Sequence, residues 1–265
     1  MTFALGHRAI SAGYRLAAFD SIGSTNAEAL SRVRAGERGP LWLVTSEQTA
    51  GRGRRLRPWI APRGNLACTV VETVDTSPAT AATLGFAAGL ALETALRRVS
   101  QVRGSGSIKF SLKWPNDVLA GQQKLAGILL EAEAVPGDGL AVVVGIGTNV
   151  VAAPEGAPTP ATSLQALGID VSAEGLFAAL TDCWVEFHEI WSQGRGFGEI
   201  RRLWLERAVG LGQPVAVNTG GETIAGIFDT IDDTGSMIVR TSAGDRVKIS
   251  AGDVYFGSAA SAGAA

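Results

Sequence analysis

Two apolar runs, KLAGILLEAEA at 124–134 and LAVVVGIGTNV at 140–150, follow one another across a Pro-Gly-Asp-Gly segment at 136–139. A strand with one wet face alternates apolar and polar residues. Near-continuous runs of Val, Ile and Leu belong instead to strands covered on both faces. The segment between the runs is rich in turn residues. The pattern predicts a hairpin through the centre of a sheet, and the remaining elements must be arranged around it.

Upstream, YRLAAFD (14–20), LWLVTSE (41–47), NLACTVVE (65–72) and IKFSLKW (108–114) read as strands. Thr25-Asn26-Ala27-Glu28 is a capping-box pattern that opens a helix continuing to Val33. Leu84, Ala88, Leu92 and Leu96 recur at helical spacing and predict a helix over 78–98. RGSGS at 103–107 reads as a flexible turn, and a Pro/Ala-rich loop is expected over 151–162. Two more helices are expected at 172–192 and 198–208. Past Gly210 the texture changes to short segments, PVAVN, ETIAGIFDTI, SMIVR, RVKIS and VYF, separated by turn residues. The predicted class is α/β of the α+β type: a mixed or antiparallel central sheet with packed helices, and a small SH3-like β-barrel at the C-terminal end. The expected domains are 1–210 and 211–257, with a low-complexity, disordered tail over 258–265.

Composition excludes several classes. With 46% hydrophobic and 18% charged residues, a large core is expected and wholesale disorder is not. A net charge of −2 speaks against a dedicated nucleic-acid binder. Cys68 and Cys183 sit in apolar patterns and read as buried hydrophobes in a reducing compartment. Two histidines and no Cys/His spacing leave no zinc site and no expected catalytic histidine. The N-terminus lacks a signal-peptide pattern. The richest apolar stretch, Leu84 to Leu96, is broken by Gly85, Gly89 and Glu93 and reads as too short to cross a membrane. A soluble, cytoplasmic protein is expected.

Against this acidic background, Arg52, Arg54, Arg55, Arg57 and Arg63 fall within twelve residues of one glycine-punctuated loop, roughly 48–64. Guanidinium forks bind phosphate or carboxylate in a bidentate way, and glycines let backbone N–H groups approach a ligand. Such a loop is expected to be mobile when empty and to close over an anion, although a solvated basic loop has the same composition. Trp59 either stacks on a base or anchors the loop. Lys113-Trp114-Pro115-Asn116-Asp117 is strand-end and turn chemistry, and Lys124 opens the next apolar strand. That lysine is either an edge residue lying along apolar surface or a cation for a reacting carboxylate or phosphate. Gly127 within a strand marks close approach of a ligand or another backbone. Gly145-Ile146-Gly147 lacks the third glycine and the following helix of a dinucleotide fingerprint, and no Walker A lysine motif is present.

Ser24-Thr25-Asn26, QTAGRGRR (48–55), KWPND (113–117), KLAGILLE (124–131) and GIGTNV (145–150), in that order, resemble the catalytic core of the biotin protein ligases. The likeness covers nearly the whole chain, from about 15 to 256, and the final β-segments resemble that family's small C-terminal domain. The family's additional helix-turn-helix domain is not expected, because Ser24-Thr25-Asn26 stands so early; the chain resembles the monofunctional ligases.

The resemblance implies a two-step reaction. Biotin and ATP give biotinyl-5′-AMP, and a lysine of a biotin carboxyl carrier domain then takes the acyl group, with Mg²⁺ on the triphosphate. It implies Lys124, Arg54 and Arg52 as catalytic residues. Biotin contacts would come from Ser24, Thr25, Asn26, Gln48, Arg52, Lys124 and Gly127. ATP or adenylate contacts would come from Arg54, Arg55, Arg57, Trp59, Lys113, Asn116, Asp117 and Asn149. The metal ligands are left unassigned. A homodimer paired through the sheet is also implied, with Leu140–Gly147 either at such an edge or fully buried. The chain departs from the family pattern at Leu56, where glycine is usual, and Pro58 follows; both stiffen the loop. A lipoate or other acyl-acid ligase, and a non-catalytic biotin or adenylate sensor, are the competing expectations.

Overall fold

The computed structural model describes residues 2–102, 108–137, 139–156 and 159–256. The turn expected over 103–107, Asp138 of the Pro-Gly-Asp-Gly turn, part of the 151–162 loop and the tail expected over 258–265 lie outside the described residues.

In chain order the elements are α1 (His7–Ser11), β1 (Arg15–Phe19), α2 (Thr25–Arg34), β2 (Leu41–Thr45), β3 (Leu66–Val74), α3 (Pro78–Ala82), α4 (Leu84–Val102), β4 (Phe110–Lys113), β5 (Asp117–Ala120), β6 (Gln123–Val135) and β7 (Gly139–Thr148). Then come α5 (Ala173–Trp191), α6 (Phe197–Arg207), β8 (Pro214–Asn218), β9 (Thr223–Ile231), β10 (Met237–Arg240), β11 (Arg246–Ile249) and β12 (Asp253–Phe256). The first seven strands form one sheet in the order β1-β2-β3-β7-β6-β5-β4. Only β1 and β2 run parallel; every other neighbouring pair is antiparallel. The predicted hairpin is β6–β7, and β7 is the middle strand of the seven. Of the two readings left open for the Leu140–Gly147 strand, the edge is ruled out and the buried central strand is the one found. Beside two neighbours it can take no strand from a second molecule, and the sheet's edges are β1 and β4.

Alternation along β7 separates two cores. Val142, Val144 and Ile146 pack with α4 and α5 in the main core, where Trp42 meets Phe177 and Trp184 edge-on. Ala141 and Val143 face the other side, with Ala29 and Val33 of α2 and Leu43 and Val71 of the neighbouring strands. Continuing that second face, β7 presents only Gly145 and Gly147, so the layer thins where α2 begins.

The helix expected over 78–98 is two helices. Ser77 caps α3, with Pro78 at its first turn, and α4 starts anew at Leu84. Pro78–Gln101 contains an 18-residue window apolar enough to span a membrane, which the sequence reading did not expect, but 72% of that window is buried within the protein. Helix α1 and strand β5 were not anticipated. The C-terminal segments form five antiparallel strands in the order β11-β10-β9-β8-β12. Its outer strands, β11 and β12, are not hydrogen-bonded to each other, so the expected barrel is an open sheet. That sheet is tied to the larger one where Trp114 Nε1 donates to the Gly235 carbonyl at 3.0 Å and Val209 N–H to the Leu112 carbonyl at 2.9 Å.

The chain leaving β7 is held by one buried side chain. Asn65 Oδ1 accepts from the N–H groups of Val150, Val151 and Ala152 at 2.9, 2.9 and 3.2 Å, and its Nδ2 donates to the Ala152 carbonyl at 2.8 Å. Asn65→Leu leaves these groups unpaired, at about 1–3 kcal/mol for each that water cannot reach. We expect a loss of about 3 kcal/mol or more, read from urea unfolding followed by circular dichroism. A midpoint equal to that of the unsubstituted protein would contradict this account of the segment.

Candidate active site

The thin region of the sheet is walled by three stretches distant in sequence. The first is the start of α2. Ser24 caps it, its Oγ accepting from Ala27 N–H at 3.4 Å, and Ser24, Thr25 and Asn26 are all buried. Gln48 Oε1 accepts from the Thr25 N–H at 2.8 Å and from its hydroxyl at 3.1 Å. Thr69 Oγ1, on β3, lies 2.8 Å from Thr25 Oγ1 and 2.7 Å from Asn26 Oδ1. A hydroxyl has one proton, and the amide oxygen, able only to accept, is its natural target. The single Thr25 hydroxyl proton is then shared between Gln48 Oε1 and Thr69 Oγ1, and the Thr25 Oγ1 lone pairs remain able to accept. Asn26 is engaged on both sides: its Nδ2 donates to the Leu129 carbonyl at 3.2 Å and to Glu131 Oε2 at 2.9 Å.

The second wall is the arginine loop, which runs out and back as an irregular hairpin. Its base docks on the segment before α2 through Thr49 N–H to Ile22 O and Ala50 N–H to Gly23 O. Bridges at Gln48–Ala61 and Arg52–Pro58 hold the two limbs together. Arg52 Nη2 meets Glu131 Oε1 at 3.0 Å, and its Nε is buried without a partner among the described residues. At the tip Arg55 and Leu56 adopt positive φ (55° and 58°), a conformation glycine takes freely and L side chains resist. Arg54 Nη1 donates to Asn116 Oδ1 at 3.0 Å. Burial lowers the Arg54 guanidinium from its ordinary value, with Asp253 opposing and Arg55 adding to the shift. Trp59 returns along the floor: a Cβ placed on Gly147 would stand 2.5 Å from its Cε2 and Nε1, and one on Gly127 would stand 3.4 Å from its Cζ3. Gly127 and Gly147 are cross-strand partners, so the indole lies on a bed made flat by glycine.

The third wall is the β4–β5 turn with the start of β6. Asn116 is pinned to β6 by its Nδ2 donating to the Ile128 carbonyl at 2.8 Å, which fixes the amide that receives Arg54. Lys124 Nζ lies 2.6 Å from Asp117 Oδ1 and 5.6 Å from the centre of the Trp59 ring. Burial pulls Lys113 below the usual lysine value; Asp117 works against this and Lys124 with it. Asn149 closes the end. Its Nδ2 donates to the Thr162 carbonyl at 3.0 Å, and its Oδ1 is buried with no partner among the described residues.

These walls enclose a cavity of about 700 Å³. Of the residues singled out from sequence, Ser24, Thr25, Asn26, Gln48, Arg52, Arg54, Arg57, Trp59, Lys113, Asn116, Asp117, Lys124, Gly127 and Asn149 all line it. Arg55 does not; its Nη1 reaches Asp253 Oδ2 at 3.1 Å. Glu131, Thr69 and Asp253 went unread. Glu131 stood inside the KLAGILLE segment and was taken only as strand; Thr69 sits mid-strand, and the DVYF context of Asp253 carries no signal beyond an edge strand. A cavity with polar groups clustered at one end, a tryptophan-lined glycine floor and cations at the other end suits an apolar acid next to a phosphate-bearing ligand.

Comparison with known proteins agrees. Residues 18–149 match the family described as Biotin/lipoate A/B protein ligase family, and residues 210–257 match the Biotin protein ligase C terminal domain. The chain is 41% identical over 240 residues to the biotin–[acetyl-CoA-carboxylase] ligase of Paracoccus denitrificans, covering 88% of this chain and 97% of that protein. It is 37% identical over 237 residues to the enzyme of the same description from Mycobacterium tuberculosis, covering 88% and 85%. The structure of the biotin protein ligase from Aquifex aeolicus in complex with biotin and ATP superposes with a TM-score of 0.75 at 24% identity, over 92% of this chain and 99% of that one, a likeness of fold.

The glycine floor is directly testable. In Gly147→Ala the indole of Trp59 has to leave its bed, and the emission assigned to it, obtained by difference from Trp59→Phe in each background, shifts to longer wavelength. An unchanged Trp59 spectrum would show that the floor tolerates a Cβ.

Proposed function

The chain belongs to the biotin/lipoate A/B protein ligase family, and we propose that the cavity between the glycine floor and the arginine loop is where it joins biotin to ATP. The activity is ATP-dependent ligation of biotin to protein. The carboxylate oxygen of biotin attacks the α-phosphorus of ATP, the bond to pyrophosphate breaks, and biotinyl-5′-AMP forms. A lysine amine of the carrier domain then attacks the acyl carbon and AMP leaves. The observation that carries the site assignment is the pairing of one polar, uncharged corner with one cationic wall inside a single cavity.

The uncharged corner supports a ureido site. Thr25 Oγ1 offers an acceptor beside Ser24 and Gln48, and Asn26, which also lines the cavity, positions these groups together with Thr69. The apolar body would lie against the Trp59 indole that covers Gly127 and Gly147. Arg54 and Lys124 would face the carboxylate and α-phosphate, where two anions must approach each other and preorganised cations contribute most. Arg52 would act through its backbone and its pairing to Glu131, holding the loop against β6. The unpartnered Oδ1 of Asn149 supports an adenine site, since the exocyclic amino group of adenine is a donor, with Trp59 as the neighbouring aromatic face.

Mg²⁺ fits as an ion that arrives on the triphosphate. Among the described residues no group of three or more His, Cys, Asp or Glu gathers to hold a resident metal. Mg²⁺ keeps much of its water and binds through few carboxylates plus phosphate oxygens, so Asp117 would hold it. When bound it would screen the triphosphate charge. The acceptor is the biotin carboxyl carrier domain of a biotin-dependent carboxylase. Two free, buried cysteines and the need for ATP support a cytoplasmic enzyme.

The test is to supply ATP, Mg²⁺ and either biotin or lipoate and to follow pyrophosphate release with mass detection of the acyl-adenylate. Biotinyl-AMP, followed by biotinylation of a carrier lysine, is expected; lipoyl-AMP alone would move the enzyme to the lipoate branch, and no adenylate with retained biotin binding would favour a sensor. Lys124→Gln keeps a polar partner for Asp117 and removes the charge. It lowers the rate of adenylate formation by roughly 10²–10³-fold with an unchanged circular dichroism spectrum. Unaltered kinetics would exclude Lys124 from the chemistry.

A further inference from the structure

The tip of the arginine loop, residues 53–57, has few attachments. Gly53 N–H to Arg57 O at 2.8 Å and Arg57 N–H to Arg54 O at 3.2 Å are internal to it. Two of its residues carry positive φ, and Leu56 is 80% exposed, so no core contact anchors it. Among the described residues, the hydrogen bonds and ion pairs that leave the tip go to two places. One is Asn116, through Arg54. The other is Asp253, which receives Arg55 Nη1 at 3.1 Å on Oδ2, Arg57 Nη2 at 2.7 Å on Oδ2 and Arg57 Nη1 at 3.4 Å on Oδ1.

Asp253 does not belong to the sheet that carries the floor. It opens β12, the edge strand of the C-terminal sheet, where it pairs with Asn218 of β8. Its neighbours Gly252, Val254 and Tyr255 line the cavity with it. A single carboxylate of the C-terminal sheet thus receives two guanidinium groups of the loop that closes the site. Burial pushes that carboxyl up, but the hydrogen bond from Arg57 and the charges of Arg57, Arg55 and Arg54 outweigh it and hold it below the usual carboxylate range.

We propose that Asp253 is a positioning residue of the ligase reaction, a latch by which the C-terminal sheet holds the arginine loop over the cavity and retains the acyl-adenylate until the carrier lysine arrives. The role rests on the ligase reading above. In a chain with leucine where a glycine would relax the tip, the ion pairs to Asp253 supply the closing force. The anhydride is hydrolysable in water, so a loop that opens early wastes ATP. The same carboxylate keeps Arg55 and Arg57 turned toward the C-terminal sheet, leaving Arg54 as the loop cation directed at the β4–β5 turn.

Two measurements on the full chain separate the latch from the ligase reading. Hydrogen–deuterium exchange of residues 50–60, without any ligand, reports closure alone. Release of biotinyl-AMP formed in place from biotin and ATP reports retention. Asp253→Asn is expected to raise exchange in the loop and speed adenylate release by about five- to tenfold each, given two partly exposed pairs. Asp253→Glu restores most of the difference, and Arg57→Gln, a change at an exposed side chain, gives a smaller effect in the same direction. A structural role alone would lower the unfolding midpoint without moving the release rate. Exchange and release equal to the unsubstituted protein in Asp253→Asn would overturn the latch, and so would slower release, which would make Asp253 a competitor of the phosphates. Absence of any adenylate in the unsubstituted protein would instead defeat the ligase reading and leave the exchange result standing.

Discussion

The geometry of the site depends on two missing side chains in the middle of the sheet. On the face of β7 turned toward α2, alanine and valine give way to Gly145 and Gly147. A Cβ at Gly145 would stand 2.0 Å from Asn26 Oδ1, and one at Gly147 would stand 2.5 Å from the Trp59 indole. Distances below 3.0 Å cannot be absorbed without displacement, so α2 could not bring Ser24 and Thr25 down to the sheet, nor could the loop fold back over it, if either position carried a side chain. The opposite face of the same strand meets the reverse demand and is filled with Val142, Val144 and Ile146. One alternation thus serves a close-packed core and an open floor on two sides of a single strand.

Charge is organised around that floor in pairs. The protein has a net charge of −2, yet one loop and one turn bring several cations to one cavity. Arg52 has Glu131, Lys124 has Asp117, and Arg55 and Arg57 share Asp253. Half-buried cations without such partners would repel one another and force the loop outward. Arg54 and Lys113 are the exceptions: each is pulled from its ordinary value mainly by burial, with no carboxylate in hydrogen-bond contact among the described residues. An enzyme that must bring a carboxylate to a triphosphate gains from cations whose field is not already cancelled, and these two would add to Lys124 in that role. Arg52, Arg55 and Arg57 shape the site and are in part already neutralised.

Much of this was legible in the chain because local pattern and global place coincide. The apolar runs of β6 and β7 name a central hairpin, and Gly127 within such a run announces a close approach that turns out to be Trp59 and Lys124. The capping box read at Thr25 announces the start of α2, although the cap itself is one residue earlier, at Ser24. What could not be read was partnership across long separations. Asn26 lines the cavity as its motif suggested, but its amide also bridges Thr69 and Glu131, 43 and 105 residues away, and that bridge had no local signal. Asp253 lies 198 residues from Arg55, and no periodicity links a loop to an edge strand at that distance. The barrel expected at the C-terminal end failed for a related reason. Strand texture reports that segments pair, whereas closure depends on which outer strands meet, and β11 and β12 do not.

The relation between the two sheets follows from these contacts. Trp114, buried at the turn that positions Asn116 and Asp117, donates to Gly235 of the C-terminal sheet, and Val209 at the junction donates to Leu112 beside it. The C-terminal sheet therefore bears on the fixed wall of the cavity through neutral hydrogen bonds and on the arginine-loop wall through a charge. A neutral buried bond to a backbone carbonyl specifies position and is little affected by salt or ligand. An ion pair at a partly exposed carboxylate is weak, screened by salt and open to competition by another anion. Besides the apolar core that both sheets share and the bond from Arg201 Nε to the Ile231 carbonyl, these two kinds of attachment differ in strength in the direction a reaction with a closed and an open state requires: rigid behind the β4–β5 turn, where Asn116 must stay in register, and yielding at the loop, which must open to admit a carrier lysine.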